Sequence, residues 1–191
     1  MKYHYFICDV FTEQRFGGNQ LAVLPDAQKL SDWQMQQVAR EFNFSETAFV
    51  LPAETGHTRK VRIFTPTTEI PFAGHPNIGT AFVLAETGAL GKEIPDTVLF
   101  EEKAGLVSIE IQANLDSPTS FELKAPQVLT LQEFPAIRSV AKALSLRENE
   151  IVVTTHAPTV ASVGLPFLFV EVLDLSVLSQ VRIELDGFDR T

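Results

Sequence analysis

Two short stretches of this chain carry residue types that could do proton chemistry. The first is Glu46, which follows Phe44-Ser45 and opens the apolar run Thr47-Ala48-Phe49-Val50. A carboxylate flanked by so much apolar sequence is expected to be partly desolvated. Desolvation raises a carboxyl pKa toward the range useful for general acid/base work. The second is the turn Gly74-His75-Pro76, which begins an apolar helical stretch. The first N–H groups of a helix lack partners inside it and carry partial positive charge. A buried helix start therefore demands an acceptor, and a ligand carboxylate would serve. Gly74 permits close backbone approach. His75 can donate, accept or carry a proton near neutral pH. Two plainer readings stand beside these: Glu46 as a surface residue at a strand start, and His75 as a helix cap.

Other chemistries find little support. The formal charge of −9 over 191 residues excludes a basic nucleic-acid surface and leaves local donors to hold any anionic ligand. Arg59, Lys60 and Arg62 form the tightest basic cluster and read as a solvated strand edge. The single cysteine, Cys8, rules out a disulfide within the chain and reads as a buried small side chain. His4, His57 and His156 show no ligand spacing, so no metal is expected. Gly17-Gly18 precedes no phosphate-loop lysine, and Ser45 lies in no nucleophile elbow. No signal peptide or membrane-length apolar run occurs, which makes the cytoplasm the expected compartment.

The elements that must position these residues are marked by local pattern. Tyr3–Val10 and Leu21–Leu24 read as strands around the turn Gly17-Gly18-Asn19. Ser31 and Gln34 form a capping box for a helix whose buried face is Met35, Val38, Ala39 and Phe42, with Leu30 as the staple. Glu46–Leu51 and Val61–Phe64 read as strands. Residues 76–87 read as a buried helix with Pro76 at its first position and Gly88 just past its end. Val98–Phe100, Leu106–Ile111 and Thr119–Leu123 form a meander, with alternation clearest at Val107, Ile109 and Ile111. A second unit begins near Ala125-Pro126. It has a helix on Ile137, Val140, Ala141 and Leu144, a further cap at Ser145 and Glu148, and strands at Ile151–Val153, Val160–Val163 and Phe167–Val172. Val38-Ala39-Arg40 and Val140-Ala141-Lys142 suggest a pseudo-repeat. Helices and strands segregate without βαβ alternation, so the class is α+β.

At these residues the sequence resembles the PhzF-like family, named for the isomerase of phenazine biosynthesis. The matching segments are Asp9-Val10-Phe11-Thr12, Phe16-Gly17-Gly18-Asn19-Gln20-Leu21-Ala22-Val23, Phe42 to Val50, Arg62 to Pro66, and Glu69 to Ala81. A looser match runs from Gly164 to Val170. The resemblance implies a diaminopimelate-epimerase-like fold of two pseudo-symmetric domains, each a mostly antiparallel sheet around a central helix. Those domains would be residues 1–125 and 126–191. It also implies cofactor-free isomerisation of a small cyclic or amino-acid-like carboxylate, with Glu46 as the proton carrier and His75 assisting. Ser45, Gly74, Pro76 and Asn77 would bind substrate, and a homodimer is the expected assembly. Gly74 stands where related epimerases place a cysteine, and with Cys8 the single cysteine a two-cysteine mechanism is excluded. Family chains are longer and open their second central helix with an Asp-Pro-Ala-Thr-Gly-type motif. No such motif occurs here, and Asp186 to Thr191 do not replace it. The second domain is therefore expected to be incomplete. The alternative is a non-catalytic member that binds a ligand or self-associates.

Overall fold

A computed structural model describes residues 2–112, 119–133 and 136–184. They fall into two units, Met1–Gln127 and Val128–Thr191. The stretch Asp186 to Thr191 lies outside the described residues.

Unit 1 is one curled sheet around one helix. Its strands are β1 (Phe6–Val10), β2 (Asn19–Leu24), β3 (Glu46–Leu51), β4 (Arg59–Phe64), β5 (Glu69–Ile70), β6 (Thr97–Glu102), β7 (Gly105–Gln112) and β8 (Ser120–Lys124). The order is β1-β2-β3-β4-β6-β7-β8, with β5 pairing β4. The pairs β2·β3 and β4·β6 are parallel and the rest antiparallel. Helix α2 (Gly74–Glu86) packs against β1, β2, β3, β7 and β8. Since β1 and β8 end the strand order, a sheet touching α2 with both must wrap around it. The wrapping follows from composition, because a helix apolar nearly all round has to be enclosed. Val83, Leu84, Ala81 and Thr80 are all buried, while Phe82 stays partly exposed.

Helix α1 (Asp32–Phe42) covers the outer face of β3 and β4. Ser31 accepts from Gln34 N and Gln34 Oε1 accepts from Ser31 N, completing the capping box. Met35 and Ala39 join Phe49 and Phe64 in a core cluster, with Leu30 packed against it. The helix ends at Asn43 in the left-handed region, φ 54°, and the chain turns back into β3 at Glu46.

Three expectations for unit 1 need correction. Helix α2 starts at Gly74, which places Pro76 at its third position rather than its first. Proline is tolerated there because the first amides of a helix have no internal acceptor. Basic residues on β4 do not line a sheet edge, since β4 lies between β3 and β6. Arg62 instead forms a fork with Glu69 at 2.8 Å, also reaching Asp32, and Lys60 pairs with Glu54. Cys8 is half-buried; burial and the neighbouring Asp9 push its thiol up to about 11, so it stays protonated at neutral pH.

Unit 2 holds a three-stranded antiparallel sheet of β9 (Thr130–Glu133), β10 (Thr159–Ser162) and β11 (Pro166–Phe169), in the order β11-β10-β9. Helix α3 (Ile137–Ala143) buries Val140 and Ala141 with Ile151. Helix α4 (Leu175–Gln180) is capped by Asp174, which accepts from Val177 N at 2.9 Å. Ser145 is not a cap: it sits at φ 57°, and the 3-10 turn Glu148–Glu150 is held by Arg147 and Glu150 instead. Ile151–Val153 forms only a single bridge, Ile151 to Val172.

Gly79 sets the depth of α2. A Cβ there would stand 2.6 Å from Leu21 Cδ2, 2.8 Å from Val10 Cγ2 and 3.1 Å from Cys8 Sγ. Gly79→Val is expected to destabilise the fold by about 1–3 kcal/mol through overpacking. Urea unfolding measures this, and an unchanged midpoint would contradict a close approach of α2 at Gly79.

Candidate active site

The register of β2 and β3 and the spacing within α2 bring the two candidate stretches together. Leu21 pairs with Glu46 across the parallel ladder. Gly79 lies on Leu21. His75 is four residues before Gly79 and so lies on the same helix face, one turn nearer the helix start. That turn ends at Glu46, with His75 Nε2 3.4 Å from Glu46 Oε2. Side-chain exposure is 8% for His75 and 18% for Glu46. Neither of these two atoms has any other polar partner, and both are buried.

The far side of the imidazole is also held. Asn19 Nδ2 lies 3.3 Å from His75 Nδ1, and Ser45 Oγ donates to Asn19 Oδ1 at 3.0 Å. In the tautomer that lets Asn19 donate, Nδ1 accepts and the ring proton is on Nε2, on the carboxylate side. A chain of contacts therefore runs Ser45, Asn19, His75, Glu46. Asn19 is a site residue that the sequence reading does not single out; its signal is the run Phe16-Gly17-Gly18-Asn19, which reads first as a turn. Gly18 explains the turn: φ is +52° there, and a Cβ would stand 2.2 Å from Val10 O.

Electrostatics favour a neutral ring. Burial lowers the His75 pKa below its ordinary value, while the Glu46 charge and the Gln20 backbone oppose the shift. At neutral pH His75 is thus a neutral imidazole rather than a cation.

The start of α2 offers few but well-placed amides. Ala73 is the N-cap and gives no side-chain cap bond. Pro76 has no N–H, so Gly74 and His75 supply the free helical amides beyond the cap. A Cβ at Gly74 would meet nothing within 4 Å, leaving its backbone open to a ligand. Pro76 and Asn77 are buried, and Asn77 Nδ2 donates to Ala73 O at 2.9 Å. The Asn77 side chain thus serves the turn itself. An open depression of about 490 Å³ touches the turn at Gly74 and is walled by Phe11, Ile78 and β8. It does not reach Glu46 or His75. Among the described residues no group of His, Cys, Asp and Glu gathers as a metal site requires. None of the described helices is long and apolar enough to cross a membrane.

A helix wrapped by a curled sheet is the fold of a class of racemases and epimerases. The chain superposes on a hydroxyproline epimerase from Agrobacterium vitis with a TM-score of 0.54 at 19% identity, covering 85% of this chain and 50% of that one. At that identity the likeness shows the diaminopimelate-epimerase-like fold alone. Residues 8–189 match the family described as phenazine biosynthesis-like protein, and the chain belongs to that PhzC-PhzF family. It is 38% identical over 184 residues to an uncharacterized isomerase of Mesorhizobium japonicum, covering 95% of this chain and 60% of that protein. It is 36% identical over 167 residues to the trans-2,3-dihydro-3-hydroxyanthranilate isomerase of Pseudomonas chlororaphis, covering 86% and 58%. A PhzF-family phenazine biosynthesis protein of Bacillus anthracis superposes with a TM-score of 0.81 at 29% identity, covering 96% and 60%. The chain thus spans about three fifths of the length of these three family members.

The geometry predicts a titration. His75 should titrate below the ordinary histidine value, and Glu46→Gln should lower it further, because the carboxylate charge is what holds it up. NMR of the imidazole measures both. A His75 pKa that is unmoved by Glu46→Gln would contradict the pairing.

Proposed function

We propose that this chain carries the proton-transferring site of a cofactor-independent, PhzF-type isomerase acting on a small cyclic or amino-acid-like carboxylate. The observation that carries the reading is the Glu46–His75 pair, whose facing atoms are buried and 3.4 Å apart at the start of α2. Membership of the PhzC-PhzF family and the likeness to a dihydrohydroxyanthranilate isomerase support it.

In this reading the Glu46 carboxylate removes a proton from one substrate carbon. The electron pair left on that carbon shifts along the conjugated substrate. Glu46 then returns the proton at a second carbon, so atoms and charge balance without a redox partner. His75, neutral and donating through Nε2, steadies Glu46 while it is charged and bonds substrate when the acid is protonated. The amides of Gly74 and His75 hold the substrate carboxylate, helped by the partial positive charge of the helix start. Ser45 binds substrate and orients Asn19, while Pro76 and Asn77 shape the turn. Local donors of this kind are what an acidic chain needs to hold an anion. The second unit is read as part of a second epimerase-like domain, and the functional assembly as a homodimer. Exposed aromatic side chains such as Phe11 and Phe16 favour association of this kind.

The test uses trans-2,3-dihydro-3-hydroxyanthranilate in deuterated water. Glu46→Gln should slow deuterium incorporation at carbon by about 10²–10⁴-fold while the fold survives. Exchange undiminished in a folded Glu46→Gln chain would sink the role. Gly74→Ala should fold normally, since its Cβ meets open space, yet bind the compound more weakly.

A further inference from the structure

Glu101 and Glu102 are neighbours on β6, and alternation sends their side chains to opposite faces. Their surroundings are opposite too. Glu101 accepts from Glu54 N at 2.7 Å, from Thr55 N at 2.8 Å and from Thr55 Oγ1 at 2.6 Å. These donors hold its carboxyl down at about 2 and pin the loop between β3 and β4. Glu102 has no such donors. Both of its carboxyl oxygens are buried and accept no hydrogen bond. Asn77 of α2 lies close enough to oppose the upward shift, though without regular hydrogen-bond geometry.

Asn77 is itself fully buried, and its Oδ1 is a third buried acceptor without a donor. Buried acceptors left without a hydrogen bond are unfavourable, and a charged carboxylate is the costliest of them to leave so. A proton on the carboxyl removes the charge and supplies the missing donor. Asn77 Nδ2 in turn grips Ala73 O, the N-cap carbonyl of α2. From there the chain runs straight into Gly74 and His75.

We propose that Glu102 is held as a neutral carboxylic acid that braces Asn77, and through it the first turn of α2, making Glu102 a positioning residue for His75. Its importance for catalysis rests on the reading of Glu46 and His75 as the reacting pair; the brace does not. Burial pushes the Glu102 carboxyl up to about 8, which agrees with the geometric argument. No charged group acts on it from β4, β7 or α2 among the described residues. The adjacent Glu101 and Lys103 are engaged with the loop at residues 54–57 and with Glu69.

The sign of the pH dependence follows from linkage. Unfolded, the carboxyl loses its proton near the ordinary value of 4.5; folded, it keeps it to about 8. Its stabilising contribution is therefore complete below the unfolded value and is lost as pH rises toward the folded one. Urea unfolding across this range should show the wild-type folding constant falling about tenfold per pH unit relative to Glu102→Gln, which is neutral throughout. Parallel curves for the two proteins would overturn the buried proton.

A second readout tests positioning. The ¹⁵N imidazole signals of His75 should stay near wild type in Glu102→Gln and move in Glu102→Met and in Asn77→Ala. Wild-type His75 signals in a folded Glu102→Met or Asn77→Ala chain would overturn the brace. Neither measurement uses turnover. Undiminished exchange in Glu46→Gln would therefore defeat the proposed isomerase reading and leave this one standing.

Discussion

The approach of α2 to β1 and β2 at Gly79 is the contact on which the site depends. It lets the helix sink until Leu21 and Val10 touch its backbone side. The parallel ladder then fixes what lies beside that contact, since Leu21 is paired with Glu46. One helical turn earlier, His75 has nowhere to go but against the carboxylate. A helix held even an ångström farther out would open the Glu46–His75 gap beyond a useful contact. Packing and chemistry are here the same constraint, because interiors transmit small displacements instead of absorbing them.

The electrostatic design follows from that depth. A buried imidazole prefers to be neutral, and a buried carboxylate prefers a donor. Placing the two face to face satisfies part of each demand and leaves the pair responsive to anything that changes the charge nearby. The same rule, applied to two adjacent glutamates, separates Glu101 from Glu102. One is surrounded by amides and stays ionised. The other is enclosed without donors and keeps its proton. The chain thus places three carboxyl groups of one sheet in three environments. The environment of each, and not its residue type, decides its role.

Much of the local structure was legible beforehand because its causes are local. Ser31 and Gln34 mark the start of α1 through a hydrogen-bond pattern that spans three residues. Gly88 marks the end of α2, and it closes a Schellman motif with φ +70° and Ala89 N bonded to Leu84 O at 2.9 Å. Val107, Ile109 and Ile111 alternate because β7 has one buried face. Glu46 and His75 could be picked out singly, one by its apolar flank and one by its helix start, and the family resemblance joined them. What stayed hidden depends on pairing across the chain. Nothing in Asn19–Leu24 says that it runs parallel to Glu46–Leu51. Without that register, Asn19 cannot be placed beside His75. Glu102 was invisible for the same reason, since a glutamate at a strand end reads as a surface residue until α2 is laid across it. Proline suggests a first helical position, but any of the opening positions tolerates it, so α2 starts two residues before Pro76.

The most direct test of the central account is a ligand titration followed by backbone amide signals. Anthranilate, a small ring carboxylate, is added to the ¹⁵N-labelled chain. If the start of α2 and Glu46 form one carboxylate-binding acid/base site, the largest shifts will fall on Gly74, His75, Ser45 and Glu46, and Gly74→Ala will weaken them. Shifts confined to β8 and Phe11, or none at any concentration at which the chain stays folded, would contradict it.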